Sequence, residues 1–313
     1  MKNIFVSYCR EDLKVVENEI IPEIKEIRGA DCWFDFHCIE TGADSFTEEI
    51  KIGIENSFIF IIALSSTSMQ KPWPFREFKY AEELREKDSS RKTVWLKLDN
   101  SEFAGKFASY KDTEKDIILL NEHRQMQKMK EDIRRWIKEK AISYFEQGLR
   151  KERSTVIKEQ NEAFSLFLKS AEMGFGDAQA KVGYYYHVGK FNVKQDKSKA
   201  MEWCKKGCDQ GCPGAISLMS SIYKDDKATR IQYLSEAANK NHAFAQFRLG
   251  NEYYSGDLSP DIVSSIYWLK KAADQGEPNA MKKLGHILKK DFKNQQVLAK
   301  EYLDKAEKAK NNR

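Results

Sequence analysis

A short pattern that recurs about every 34 residues constrains this 313-residue chain more than any other feature. Four segments superimpose without gaps, over residues 166–178, 203–215, 233–245 and 268–280, and a weaker copy begins at Tyr302. Such a period is typical of stacked helical hairpins, each of which buries its apolar face against its neighbours. We therefore predict an all-α helical-hairpin repeat solenoid over residues 139–313.

Small residues stand at a fixed position of each predicted hairpin, in the helix that follows the copy. The equivalent residues are Gly183, Ser220, Gly250 and Gly285. A small side chain at such a place lets two helix backbones approach closely. We expect about five units, over residues 141–176, 177–212, 213–242, 243–277 and 278–310.

The preceding residues, 1–138, alternate between two other patterns. Strand-like runs at residues 4–7, 32–36, 57–64, 93–98 and 117–120 are separated by helical patterns at 12–27, 45–54 and 72–86. Alternation of this kind predicts an α/β domain with an open, five-stranded parallel sheet and helices on both faces. Ligands of such sheets bind beyond the carboxyl ends of the strands, so the loops after Ser7, Phe36 and Leu64 are the places to examine.

Charge and composition limit the classes of partner. Residues 1–140 hold 24 Lys+Arg and 27 Asp+Glu, a balance of −3, which leaves 29 and 21, or +8, for the rest of the chain. The lysines are scattered along the repeats rather than clustered, so nucleic acid is not an expected partner. The longest apolar run, over residues 58–64, is too short to span a membrane. With six cysteines and no leader-like start, we predict a soluble cytoplasmic protein.

A group of three cysteines has a spacing that is also found in metal sites. Cys204, Cys208 and Cys212 lie four residues apart. In the repeat alignment, however, Cys204 replaces Leu269 and Cys208 replaces Ala273, both of which are packing positions. We interpret the cysteines as small buried hydrophobic residues and expect no metal site.

The repeats resemble Sel-one-like repeats, which are relatives of the tetratricopeptide family. The resemblance covers residues 141–310 and is carried by the pattern A-x3-L-G-x2-Y at residues 245–253 and by W-L-K-K-A-A-D-Q-G at 268–276. It implies a curved scaffold for protein contacts, with an unidentified protein or signal as its partner.

Residues 1–138 resemble a TIR domain, which implies a flavodoxin-like fold. Three motifs carry the resemblance, in the expected order: I-F-V-S-Y-C-R-E-D at residues 4–12, C-W-F-D-F-H-C-I-E-T-G at 32–42, and the strand, Leu-Ser turn and W-x3-E segment at 58–78. Some TIR domains pass a signal by self-association, and others cleave NAD⁺ at the nicotinamide–ribose bond.

The resemblance to NAD-cleaving bacterial members implies particular site residues. Their essential glutamate corresponds to Glu77, in the W-x3-E segment that begins at Trp73. The substrate-binding residues correspond to Tyr8, Cys9 and Arg10, together with Glu40 before the loop glycine. Cys9 stands where arginine is common in these members. NAD⁺ is the substrate in this interpretation, and no cofactor is implied.

One carboxylate is sufficient for this reaction because the leaving group is already cationic. Nicotinamide departs neutral from the ribose, so it needs no proton from a general acid. Positive charge builds up on the ribose instead, and a carboxylate in a partly dry site stabilises that charge. We predict this role for Glu77, with Trp73 and Tyr8 as walls and Glu40 as an orienting group.

The resemblance also implies that TIR domains associate, because active pockets in the family are completed by a neighbouring domain. The corresponding assembly loop consists of Phe36, His37, Cys38, Ile39, Glu40, Thr41 and Gly42. We therefore expect an NAD⁺ nucleosidase (hydrolase) activated by oligomerisation, in the setting of an immune or antiphage effector. The alternative is a non-enzymatic TIR adaptor, scaffold or virulence factor that acts in signal transduction by binding proteins.

Overall fold

The structure is a computed structural model that describes residues 2–33, 48–110, 117–255 and 261–311. The chain divides into two compact units, Met1–Tyr144 with Glu172–Gly174, and Phe145–Ala171 with Phe175–Arg313. Among the described residues, none of the helices has both the length and the apolar character that crossing a membrane requires.

The first unit contains the predicted sheet. Its strands are β1 (Ile4–Ser7), β2 (Cys32–Trp33), β3 (Ile59–Leu64), β4 (Lys92–Lys97) and β5 (Ile117–Leu119). They pair in the order β2-β1-β3-β4-β5, and every pair is parallel. All six residues of β3 are buried, as its continuous apolar run predicts. The flavodoxin-like fold class is therefore confirmed.

The predicted helix over residues 12–27 is interrupted. It consists of α1 (Leu13–Val15), a π-helical turn (Val16–Ile20) and α2 (Ile21–Lys25). Pro22 explains the interruption, because it has no N–H to donate to the carbonyl four residues earlier and its ring crowds that carbonyl. The wider turn supplies another bond: the Ile21 N–H donates to the carbonyl of Val16, five residues before it.

Helices cover both faces of the sheet. On one face, α3 (Glu48–Asn56) contacts α4 (Pro72–Lys87). On the other, α5 (His123–Glu152) is tied to the segment around α2, because the buried Lys130 ammonium lies 2.6 Å from Glu23 and 2.7 Å from Glu26. The two sets of helices follow from the strand order, since crossovers to the left and right of β1 are both right-handed.

The second unit is a run of helices that extends from the end of α5. Their bounds are α6 (Ile157–Glu172), α7 (Gly176–Val188), α8 (Lys197–Cys208), α9 (Pro213–Ile222), α10 (Lys227–Asn239), α11 (Ala243–Ser255), α12 (Ile262–Asp274), α13 (Pro278–Asp291) and α14 (Gln296–Asn311). From α7 onward, each helix contacts the next one along the chain. This is the predicted helical-hairpin solenoid.

The small residues perform the predicted function at the helix contacts. A Cβ atom added to Gly183 of α7 would lie 2.5 Å from the Sγ of Cys204 in α8. At the equivalent place in another repeat, a Cβ atom on Gly250 of α11 would lie 2.8 Å from the Cγ of Leu269 in α12. Cys204 therefore occupies the position of Leu269, which agrees with its interpretation as a buried packing residue.

The other two cysteines lie close to Cys204. Burial raises the pKa of Cys204 and Cys208 to about 12 and that of Cys212 to about 11. The Cys212 thiol donates to Asp177 at 3.0 Å. These thiols are protonated at neutral pH, and the described residues contain no group of three His, Cys, Asp or Glu that could hold a metal ion.

An aspartate begins three alternate helices of the solenoid. The side chains of Asp196, Asp226 and Asp261 accept hydrogen bonds from backbone N–H groups in the first turns of α8, α10 and α12, at 2.9, 3.1 and 3.1 Å. These are N-caps, each of which stabilises its helix by about 1 kcal/mol. The three aspartates occupy the same position of successive repeats, so the sequence signal for the caps has the period of the repeat.

Two buried glutamines each link one repeat to the next. Gln179 and Gln246 donate to the carbonyls of Ala171 and Ala238 within their own hairpins, both at 3.1 Å. Each glutamine also accepts a 2.7 Å bond from a glutamine one helix pair further on, Gln210 or Gln275. These contacts satisfy the hydrogen-bonding capacity of the buried amide groups and set the register between neighbouring repeats.

Candidate active site

The candidate site lies where the sheet changes direction. The chain leaves β1 toward β2 on one side, whereas β3 pairs with β1 on the other side. In an open parallel sheet, this arrangement leaves a crevice beyond the carboxyl ends of the two central strands. Residues 8–12 follow β1 at this edge, and residues 65–70 follow β3.

A buried carboxyl group joins the two segments. Asp12 is 8% exposed, and its Oδ2 accepts hydrogen bonds from the Ser65 hydroxyl at 2.8 Å and from the Cys9 thiol at 3.0 Å. A buried carboxyl group that is satisfied in this way is far less costly than an unpaired one. The ends of β1 and β3 are thereby held together at the crevice.

The same serine organises the turn that leads into α4. The Ser65 N–H donates to the Ser68 hydroxyl at 2.7 Å, and the Ser68 N–H donates back to the Ser65 hydroxyl at 3.1 Å. Both serines are buried. These two reciprocal hydrogen bonds stabilise the Leu-Ser turn and fix where the chain enters the next helix.

Cys9, one of the predicted substrate-binding residues, is completely buried. Burial and the hydrogen bond to Asp12 raise the pKa of its thiol far above the ordinary value. The group is therefore a neutral donor and not a thiolate nucleophile. Tyr8 beside it is also buried, whereas Arg10 is exposed to solvent.

An ion pair connects the segment after β1 to the start of α4. Lys71 lies 2.9 Å from the Glu11 carboxylate, and its ammonium is 5.6 Å from the centre of the Trp73 ring. The hydrogen bond from Lys71 lowers the pKa of Glu11. Trp73, which is half-buried, is thus placed at the same edge of the sheet as residues 9–12.

The predicted catalytic glutamate lies on the buried face of α4. The buried residues of this helix are Pro74, Glu77, Phe78 and Ala81, a spacing that puts them on one face. Glu77 is 7% exposed and follows Trp73 by one turn. Pro74 is accommodated in the first turn, where a helix does not need its N–H. A carboxyl group is rarely buried in this way.

Some predicted residues lie outside the described part of the chain. They are Glu40 and the remaining residues of the predicted assembly loop, Phe36, His37, Cys38, Ile39, Thr41 and Gly42. The structure thus links Glu11 to Trp73 through Lys71 and places Glu77 one turn further along α4, and the assembly loop stays a prediction. Asp12, Ser65 and Ser68 had no predicted role, although all three lie within the motifs at residues 4–12 and 58–78.

Comparison with known proteins separates the two halves of the chain. The family model of the TIR domain matches residues 4–137, and that of the Sel1 repeat matches residues 143–175, 176–212 and 243–277. A curated relative, the ERAD-associated E3 ubiquitin-protein ligase component HRD3A of Arabidopsis thaliana, is 33% identical over 76 residues. Those residues are 24% of this chain and 11% of the relative, so the chain spans about a tenth of that protein's length.

Solved structures that are similar to the chain also contain repeats of this kind. A Sel1 repeat protein from Oxalobacter formigenes is 32% identical, with 56% of this chain and 78% of that chain covered and a TM-score of 0.46. The protective antigen c5321 of uropathogenic Escherichia coli, which displays an SLR fold, is 26% identical, with 54% and 41% covered and a TM-score of 0.38. The family models show that the chain contains a TIR domain at residues 4–137, followed by Sel1 repeats at residues 143–175, 176–212 and 243–277.

Proposed function

We propose that the TIR domain cleaves NAD⁺ at the nicotinamide–ribose bond and that Glu77 is its catalytic residue. The observation that carries the proposal is the burial of this carboxyl group on the inner face of α4, one turn after Trp73. If Glu77 were exposed, its interpretation as an ordinary solvated surface charge would be favoured. A carboxylate that is shielded from water, in contrast, stabilises a developing cation strongly.

In the proposed reaction, the bond between ribose C1′ and the nicotinamide nitrogen breaks, and its electron pair stays on that nitrogen. Neutral nicotinamide leaves, and the ribose becomes an oxocarbenium ion that the Glu77 carboxylate stabilises. Water then adds at C1′ and loses a proton, giving ADP-ribose. If a nucleophilic atom of the same nucleotide, rather than water, attacked C1′, the product would be cyclic.

We further propose that the activity depends on self-association of TIR domains, with the repeats supplying contacts to other proteins. The resemblance to domains whose pockets are completed by a neighbour supports this, with residues 36–42 as the assembly loop. A domain that consumes NAD⁺ must be silent until it is needed, which suits an immune or antiphage effector. We accordingly expect a dilute monomer to be nearly inactive.

The test is NAD⁺ loss by the purified chain at high concentration with a crowding agent, with products separated by chromatography. Glu77→Gln should abolish cleavage. Glu86→Gln is the matched control, because Glu86 lies on the same helix but is exposed. Equal loss of NAD⁺ in wild type and Glu77→Gln would refute the catalytic role. No turnover even after induced assembly would favour the adaptor, which then should bind TIR-containing proteins without consuming NAD⁺.

A further inference from the structure

Although the lysines are scattered along the repeats as a whole, α13 carries a local concentration of positive charge. Lys282, Lys283, Lys289 and Lys290 lie on α13, where the last residue, Asp291, is the only acidic one. On α11, Arg248 has the position that Lys283 has in the next repeat. The acidic residue of α11, Glu252, is buried and paired with Arg230 at 3.1 Å.

These five cations have no carboxylate partners among residues 145–255 and 261–311. The ion pairs of this part of the chain involve other lysines and arginines, which lie on α5, α7, α8 and α10 and directly after α10. The helix dipole favours Lys289 and Lys290 near the end of α13 but gives no such advantage to Lys282 and Lys283 near its beginning. Neither the helix dipole nor an ion pair within the described unit therefore accounts for the charge at the beginning of α13.

Two side-chain contacts link α13 to α11. The Lys283 ammonium lies 4.3 Å from the centre of the Tyr254 ring on α11, and the Tyr254 hydroxyl donates to Asp291 on α13 at 3.3 Å. Both contacts cross from one helix to the other, so the outer faces adjoin. They also occupy the Tyr254 ring and engage the single acidic residue of α13.

We propose that this surface, which we define as Arg248, Lys282, Lys283, Lys289 and Lys290, binds an acidic segment of a partner protein. Lys282 and Lys289 are two turns apart on one face, about 10 Å along the helix. An extended peptide with acidic residues at alternate positions presents carboxylates about 7 Å apart on one side, a spacing that flexible lysines can follow. Opposite charge would also increase the rate of encounter.

The surface is less suited to single-stranded nucleic acid. Sites of that kind combine a long basic track with aromatic rings on which bases stack. Here the cations of α13 cover about 12 Å from Lys282 to Lys290. The Tyr254 ring, moreover, already has the Lys283 ammonium over it. An acidic peptide needs neither a longer track nor an open ring.

The test uses the full chain and a fluorescent peptide of about twelve residues in which glutamate and serine alternate. Binding is measured by fluorescence anisotropy at about 0.05 M NaCl and again at about 0.3 M, because salt screens exposed charges. The wild type should bind this peptide, bind the glutamine–serine version weakly, and lose affinity in the higher salt. The double variant K282E/K289E should bind about tenfold more weakly or worse.

The matched control is K205E/K270E, which changes the net charge equally at exposed lysines of α8 and α12. Its affinity should stay within about threefold of the wild type. Equal losses in both double variants would overturn the proposal, since net charge alone would then explain binding. Failure of the wild type to bind the peptide in low salt, or tighter binding of an oligo(dT) of the same length, would also overturn it. This outcome is independent of whether the TIR domain cleaves NAD⁺.

Discussion

The Ser65 hydroxyl donates a 2.8 Å hydrogen bond to Oδ2 of Asp12, across 53 positions of the sequence. Through this contact, the segment after β1 and the segment after β3 are joined at the crevice of the sheet. The Cys9 thiol shares the same oxygen at 3.0 Å. The candidate site is thus framed by a buried polar network of Asp12, Ser65 and Cys9.

Removal of the shared acceptor should destabilise the TIR domain. Asp12→Ala leaves the Ser65 and Cys9 donors buried without their acceptor, for which we expect a loss of about 1–3 kcal/mol in the free energy of unfolding. Urea denaturation of the variants measures this loss in the free energy of unfolding. Asp12→Ala and Ser65→Ala should be strongly non-additive, because they remove the same bond.

Thr67→Ala provides the control for these variants. Thr67 is exposed and its side chain makes no cap hydrogen bond, so the change should be within about 0.5 kcal/mol of zero. Strictly additive effects of Asp12→Ala and Ser65→Ala would show that the 2.8 Å contact does not couple the two segments.

The closeness of α11 and α12 should make Gly250 intolerant of a methyl group. Gly250→Ala would place a Cβ atom 2.8 Å from the Cγ of Leu269, which is too near its backbone to move aside easily. Overpacking typically costs about 1–3 kcal/mol, which exceeds the gain of about 1 kcal/mol in helix propensity. We expect a net loss of stability by thermal and urea denaturation.

Gly214→Ala is the matched comparison, because its added Cβ atom would meet ordinary contacts at 3.4 Å or more. This variant should be neutral or more stable than the wild type. Combining Gly250→Ala with Leu269→Ala should cost less than the sum of the two changes. If Gly250→Ala were as stable as Gly214→Ala, close helix packing would not explain the glycine.

Thiol labelling should distinguish buried from accessible cysteines. Cys9 and Cys204 are completely buried and the pKa of each is raised, chiefly by burial, so neither forms a thiolate readily. With iodoacetamide at a pH of about 7.5, both should be modified only after denaturation. Mass spectrometry of the digested peptides gives the order of reaction, with the half-buried Cys208 as the internal comparison. Rapid labelling of Cys9 in the folded chain would contradict its place in the Asp12 network.

Sequence patterns predicted the elements whose signals are local or periodic. The apolar run of β3, the repeat register of Gly183 and Gly250, and the equivalence of Cys204 with Leu269 all follow from such signals. The contact between Asp12 and Ser65 could not be predicted, since it depends on how two loops meet at one edge of the sheet. The π-helical turn before Pro22 was missed, although the proline was a visible signal of an irregular helix.

The burial of Glu77 is an intermediate case. Three other glutamates on the same helix, Glu82, Glu83 and Glu86, suggest a solvated charge. The apolar residues Pro74 and Ala81, however, lie three and four positions from Glu77 and predict that it shares their face. Periodicity within the helix was therefore more informative than its overall composition.

Acidification should destabilise the solenoid through His242. Burial, followed by the charge of Lys240, lowers the pKa of this histidine, and its buried Nε2 has no hydrogen-bond partner among the described residues. Since the unfolded chain holds a proton on histidine up to a pH of about 6.5, it binds more protons than the folded chain just below that pH. The free energy of unfolding should therefore be constant above this range and fall as the pH decreases through it.

His242→Gln removes the titrating group, so the stability of this variant should change less than that of the wild type between a pH of about 7.5 and about 5.5. Urea denaturation at the two pH values measures the difference, and an identical change in both proteins would exclude His242 as its source.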